Sequence, residues 1–220
     1  MILPLAALLA AGAVADAPRT GMSVPATLTV KTDPATYDLA GFRLGMSEAD
    51  VEGVMRSRGL KVVRATRVVN FEDQVRGLMN VRGGSERMMR HSVLGQVEFD
   101  DGKGGRVLLK LLTWPDTARV STISFLPPRG TAPSAWQTLL ADKYGRPSDG
   151  SGRIDSEGLH ARWCGRASCG SGAGLFQMSA IVGLDGGSVT LGQPEGTATG
   201  IGRMIEAEAD RRMPRRAPGL

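Results

Sequence analysis

Apolar positions along the chain alternate between helical and strand spacing, with turn residues between the two. From Leu44 to Gly59, in LGMSEADVEGVMRSRG, Val51, Val54 and Met55 fall on one helical face. Ser47 stands at the start as a cap and Asp50 follows at the capping-box position. Met46 is placed to staple against Val51, and Gly59 suits the left-handed residue that ends a helix. A second helix is predicted from Phe71 to about Arg82, capped by Asn70, with Phe71, Val75, Leu78 and Met79 on one face before Gly83 and Gly84. Three strands follow at 91–99, 107–114 and 120–126. They are separated by the hairpin loop DDGKGG and by a turn opening at Pro115 and Asp116.

The pattern then restarts. Ser134 is placed to cap a helix with Gln137 three residues on; Trp136, Leu139, Leu140 and Tyr144 line a face, and Gly145 with Pro147 ends it. Strands are predicted at 159–164, 175–184 and 188–191, with Asp185-Gly-Gly187 as the turn between the last two. A closing helix over 201–212 turns Ile201, Met204, Ile205 and Ala209 inward, pairs Glu208 with Arg212, and stops at Pro214.

The expected fold is therefore α+β, two tandem helix-on-antiparallel-sheet units and a C-terminal helix. The units are 37–128 and 129–200, followed by the helix at 201–213 and a basic tail at 214–220. Residues 16–36 read as an extended arm with a short strand at 26–31.

Composition supports this picture. Of 220 residues 41% are hydrophobic, enough for a sizeable core, while Gly 30 and Pro 12 with only 5% aromatics disfavour a large helical bundle. The opening MILPLAALLAAGAVA is uncharged, apolar and ends in a small-x-small pattern, so residues 1–15 are expected to be a signal peptide cleaved after Ala15. It is too short to span a bilayer, and no Cys follows it that would carry a lipid anchor. Cys164 and Cys169 agree with export: their short Gly-containing loop can close a disulfide in an oxidising compartment. The expected location is periplasmic or secreted, with the protein a monomer.

Charge adds two zones. Without Arg211, Arg212, Arg215 and Arg216 the net charge of +5 falls to +1, and the stretch from Arg56 to Arg90 holds nine Lys or Arg against Glu72, Asp73 and Glu86. Each zone is either a solvated face or a surface for an acidic partner, and the tail arginines are candidates for a membrane surface. Nucleic acid is not expected, because no stacking aromatics accompany the basic residues.

The motif G-M-S-x-x-x-V at Gly45, Met46, Ser47 and Val51, with K-Y-G-R-P at 143–147, resembles the small envelope proteins of the SmpA/OmlA (BamE-like) group. It is also similar to the β-lactamase-inhibitor-protein-like fold related to them. The resemblance implies a helical pair on one face of an antiparallel sheet, once or in tandem, and a role in binding other proteins.

Residues for catalysis are few. His91 and His160 stand at predicted strand starts outside any metal pattern, and nucleophile-elbow and phosphate-loop motifs are absent. His160, Cys164, Cys169 and His91 are the residue types of a Cys2His2 zinc site, but export favours the disulfide. Glu98, Asp100 and Asp101 are acid-base candidates that turn chemistry explains as well. Gly170-Ser-Gly-Ala-Gly174 reads as a hairpin loop, and neither metal nor cofactor is expected. The methionines, among them Met55, Met79 and Met204, recur at apolar helical positions and read as core packing.

The expected function is a non-catalytic, protein-binding or inhibitor-like module of the cell envelope with an envelope protein as partner. Its candidate surface is Arg64, Arg67, Arg76 and Arg82 with Trp114 and Trp136, beside a groove between the two sheets. A hydrolase using His91 or His160 with a carboxylate, and a polyanion or lipid-surface binder, are the alternatives.

Overall fold

The computed structural model describes residues 33–166, 169–170, 176–194 and 196–214. The expected leader at 1–15, the strand at 26–31, most of the Gly-rich loop at 170–174, and Arg215 and Arg216 lie outside the described residues. The first half runs α1 (Glu48–Arg58), β1 (Lys61–Val69), α2 (Phe71–Val81), β2 (Ser92–Asp100), β3 (Arg106–Thr113) and β4 (Ala118–Leu126). The second runs α3 (Pro133–Tyr144), β5 (Arg153–Ile154), β6 (Leu159–Trp163), β7 (Gln177–Gly183) and β8 (Gly186–Gly192), and α4 (Thr197–Arg212) closes the chain.

The protein is α+β, but its strands form one antiparallel sheet in the order β1-β2-β3-β4-β8-β7-β6-β5. Two meanders, each ordered by its own hairpins, meet edge to edge where Ile123 and Phe125 of β4 face Leu191 and Val189 of β8. The groove expected between two sheets is therefore replaced by a continuous hydrogen-bonded ladder, crossed at its centre by Ser124 Oγ and Thr190 Oγ1 at 3.1 Å.

Strand alternation divides the sheet into two faces. One carries Val97, Phe99, Leu109, Ile123, Leu191, Ala180, Ala161 and Trp163, all in a single core with Val51 of α1 and Leu140 and Tyr144 of α3. The rings of Phe42 and Phe99 stack at 5.5 Å, and Tyr144 meets Tyr37 at 4.8 Å and Trp163 at 6.3 Å. Leu112, next to Leu111, points the other way and joins Trp114 against α2 and α4, where Phe71, Val75, Met79, Ile201 and Ala209 form a second cluster. The two helices of the first half thus lie on opposite faces, and the helical pair on the main core face is α1 with α3.

Local signals explain most boundaries. Ser47 Oγ accepts from the Asp50 N–H at 3.2 Å while the Asp50 carboxylate accepts from the Ser47 N–H at 2.9 Å, and Gly59 takes φ 62°. Asn70 caps α2 through the Asp73 N–H. At α3 the cap is Ala132, with Pro133 opening the helix, so the expected Ser134 cap gives way to proline's preset φ at the first helical position. Gln137 instead donates to the Gly152 carbonyl. The last helix begins at Thr197, about one turn earlier than expected, and Met204 is half exposed where periodicity placed it inward. The turn of the second hairpin is Leu184 and Asp185, since Gly183 pairs with Gly186 and Gly187 belongs to β8.

Strand β1 is not among the elements that periodicity predicts. Its sequence KVVRATRVV breaks strict alternation because Val63 is an extra residue, opposite no partner, between Val62 paired with Phe99 and Arg64 paired with Glu98.

Candidate functional site

A sheet edge leaves a row of backbone N–H and C=O groups without partners, so each edge of this molecule repays inspection. At the far end β5 is only two residues long, and beyond it the edge of β6 is closed by side chains. Ser151 Oγ accepts from the Arg162 N–H at 2.9 Å, Ser148 Oγ accepts from the Cys164 N–H at 3.3 Å, and the Gly152 N–H reaches the His160 carbonyl at 2.7 Å. In the middle β8 stops opposite Thr122, and the stretch of β4 it leaves open is covered by the segment before α1. There the Gly45 N–H donates to the Val120 carbonyl and the Val120 N–H to the Met46 carbonyl, both at 2.8 Å.

β1 differs. All nine of its residues are exposed and, among the described residues, it pairs with β2 alone. Among the described residues, Val69 holds its one backbone group bound by a side chain, the carbonyl that accepts from Gln74 Nε2 at 2.7 Å. Val62, Val63, Val68 and Val69 are 48, 50, 41 and 46% exposed, an apolar content that a solvated edge does not need. Register puts Val62, Ala65, Arg67 and Val69 on the face of α1, and Lys61, Arg64, Thr66 and Val68 on the face of α4.

The strand is firmly held from behind. Glu48, at the first position of α1, receives Arg67 Nη1 on Oε1 at 2.8 Å and the Leu94 N–H on Oε2 at 2.9 Å, while Arg67 also reaches Ser92. Gly95 is the extra residue of β2 at this point, and a Cβ there would stand 2.5 Å from Val68 Cγ1, so glycine lets Val68 lie over the sheet. At the far end of β1 the loop 82–91 is pinned by the buried Asp73 carboxylate, which accepts from the Met89 N–H at 2.9 Å and the His91 N–H at 2.7 Å. Burial opposes that charge, but the two N–H groups and nearby Arg76 and His91 outweigh it and hold the carboxyl below the usual aspartate range. The same loop exposes Arg87, Met88, Met89 and Arg90.

The six residues singled out from the sequence do not form one surface. Arg64 and Arg67 stand on β1, but Arg67 is bound to Glu48. Arg76 is paired with Glu72 at 3.0 Å, and Arg82 reaches Asp210 of α4 at 2.7 Å. Arg82 is therefore a seam residue of the α2–α4 pair, while Arg76 is held within α2 and against the following loop, donating to the Arg87 carbonyl at 3.3 Å. Trp114 is half buried against that pair, whereas Trp136 packs on Phe125 at 5.6 Å on the α3 side. Of the tail arginines, the two described ones are engaged: Arg211 and Arg212 both bind Glu208, and Arg212 binds Glu72.

Cys164 and Cys169 form the expected disulfide, with Cα atoms 5.5 Å apart. Among the described residues no group of three or more His, Cys, Asp or Glu is placed to hold a metal. His160 Nε2 lies 3.6 Å from Asp155 and 4.0 Å from Glu157, hydrogen-bonded to neither. His91 precedes β2, in the other meander. Glu98 is paired with Arg106 at 2.9 Å, while Asp100 and Asp101 accept from the backbone of their own hairpin loop. No helix among the described residues is long and apolar enough to cross a membrane. Comparison of the chain with protein-family models, curated proteins and solved structures finds no significant match.

Sequence reasoning singled out Arg64 and Arg67 but missed the strand that carries them, with Lys61 and its valines, and the Glu48 that fastens it. Four valines among three basic residues were the available signal.

Proposed function

We propose that this chain is a non-catalytic, protein-binding module of the cell envelope that engages its partner along β1. The observation carrying this reading is the contrast between edges: two are closed by the chain's own residues, and β1 is long, valine-rich and, among the described residues, uncovered. A sheet edge of this kind supplies main-chain hydrogen bonds to a partner strand, and its side chains supply selectivity. Placement in the envelope rests on the apolar leader and the disulfide. The two meanders joined at β4 and β8 are read as two fused units of the BamE-like and inhibitor-like plan, with α1 and α3 as their equivalent helices.

The test is site-specific photo-crosslinking in native envelopes. A crosslinking residue at Val63 is expected to capture a defined protein, while one at Met204, exposed on α4, captures none. Equal capture at both positions, or none at position 63, would count against the reading.

A further inference from the structure

Resting on that reading, we infer that the partner segment is an acidic, extended peptide that adds to β1 as a ninth, antiparallel strand. Three features select it. The first is backbone: residues 61–68 offer the outward N–H and C=O groups of an edge strand, and among the described residues nothing binds them.

The second is charge. Lys61 and Arg64 have no carboxylate within ion-pair distance among the described residues. Glu98, in register with Arg64, is taken by Arg106, and Asp100, in register with Lys61, is turned to the Gly102 N–H at 2.7 Å. Arg87 and Arg90, in the loop that leads into β2, likewise have no ion-pair partner among the described residues. A strand laid along β1 meets uncompensated positive charge at its near end and again just past its far end. Carboxylates opposite Lys61 and Arg64 satisfy it, because directly opposed unlike charges stabilise a strand pair and like charges destabilise it. The same rule disfavours a second copy: β1 carries Lys61, Arg64 and Arg67 and no acidic residue, so two β1 strands laid together add positive charge and supply no carboxylate to meet it.

The third is alternation. On the α1 side, Val62, Ala65 and Val69 extend the apolar surface, so the peptide residues between the carboxylates are β-branched and apolar. The preferred ligand is an extended segment whose acidic residues alternate with valine or isoleucine.

The experiment uses the full chain, fluorescently labelled nine-residue peptides of alternating Glu and Val, and a scrambled peptide of the same composition. Binding is read by anisotropy and by hydrogen exchange of the β1 amides. The alternating peptide is expected to bind, to protect the β1 amides, and to weaken about tenfold in the double variant K61E/R64E, whose side chains make no internal ion pair. Equal binding of the scrambled peptide would reveal attraction by charge alone and overturn strand addition. Binding without β1 protection would overturn it too. So would β1 amides already protected before peptide is added, because the edge would then be occupied by another segment or copy. Val63 crosslinking that captures an envelope protein, with no binding of the acidic peptide, refutes the acidic-strand inference while leaving the binding-module reading standing.

Discussion

Arg212 grips Glu72 across the seam between α4 and α2, Nη1 to Oε1 at 2.6 Å and Nη2 to Oε2 at 2.8 Å. Glu208, one turn back on α4, binds the same guanidinium at 2.7 Å, so an arginine at the edge of a basic tail is part of the fold. R212A is expected to destabilise the protein by about 1 kcal/mol, a loss that shrinks in high salt because the pair is partly exposed. A double-mutant cycle with E72Q, read by urea denaturation, checks it. Additive effects would mean that the pair contributes nothing.

The same cluster sets an acid limit. Arg211 and then Arg212 pull Glu208 down to about 2, and Arg212, against some burial, lowers Glu72. A depressed folded pKa contributes stability above the unfolded value, about 4.3 for glutamate, and loses it as pH falls through the folded value. Docking of α4 on α2 is therefore expected to hold at pH 5 and to weaken progressively between about pH 4 and about pH 2. Chemical shifts of α4 amides followed down the titration report it, and a flat response across that window would contradict it.

Asp73 gives a separate local prediction. D73A removes the acceptor of the Met89 and His91 N–H groups and leaves two part-buried donors without partners. The variant is expected to melt several degrees lower, with faster hydrogen exchange confined first to loop 82–91 and the start of β2. Uniform loosening of the sheet would show instead that Asp73 supports the core.

These devices differ in how legible they were. The capping box of Ser47 and Asp50, the Gly59 end, the Asp100–Gly105 hairpin and the disulfide are local, and residues a few positions apart carry their whole signal. The joining of β4 to β8 pairs Thr122 with Gly192, a contact between distant residues that no periodicity encodes. β1 was hidden by its own bulge, which shifts Val63 out of the alternating register. Its open edge was illegible for another reason. An edge is a property of what the rest of the chain fails to cover, and the covering of β4 and β6 by Gly45, Met46, Ser148 and Ser151 appears only in three dimensions. The arginines looked like one surface because sequence shows charge without partners, and Glu48, Glu72 and Asp210 lie as far as 140 positions away from the arginines they bind.

Reduction of the disulfide tests a staple at the far end of the sheet. Replacing Cys164 and Cys169 with Ala is expected to cost about 2 kcal/mol, the chain-entropy value for so short a loop. Urea denaturation of the variant against the oxidised protein measures it. No change would mean that the loop is equally restricted without the bond.

The ladder between β4 and β8 decides whether the two meanders unfold together. Leu191 and Ile123 face each other across it, both fully buried in the one core that also holds Val97 and Phe99 on one side and Met178 and Trp163 on the other. L191A leaves a cavity at that crossing and is expected to cost about 3 kcal/mol. Because the core is continuous, the loss falls on the whole sheet: amides of β2 and of β7 should lose protection by the same free energy, through one global opening. If β7 loosens while β2 keeps its protection, the meanders are independent units joined only by hydrogen bonds. The firm seating of β1 would then depend on the first half alone, through Glu48 and Arg67.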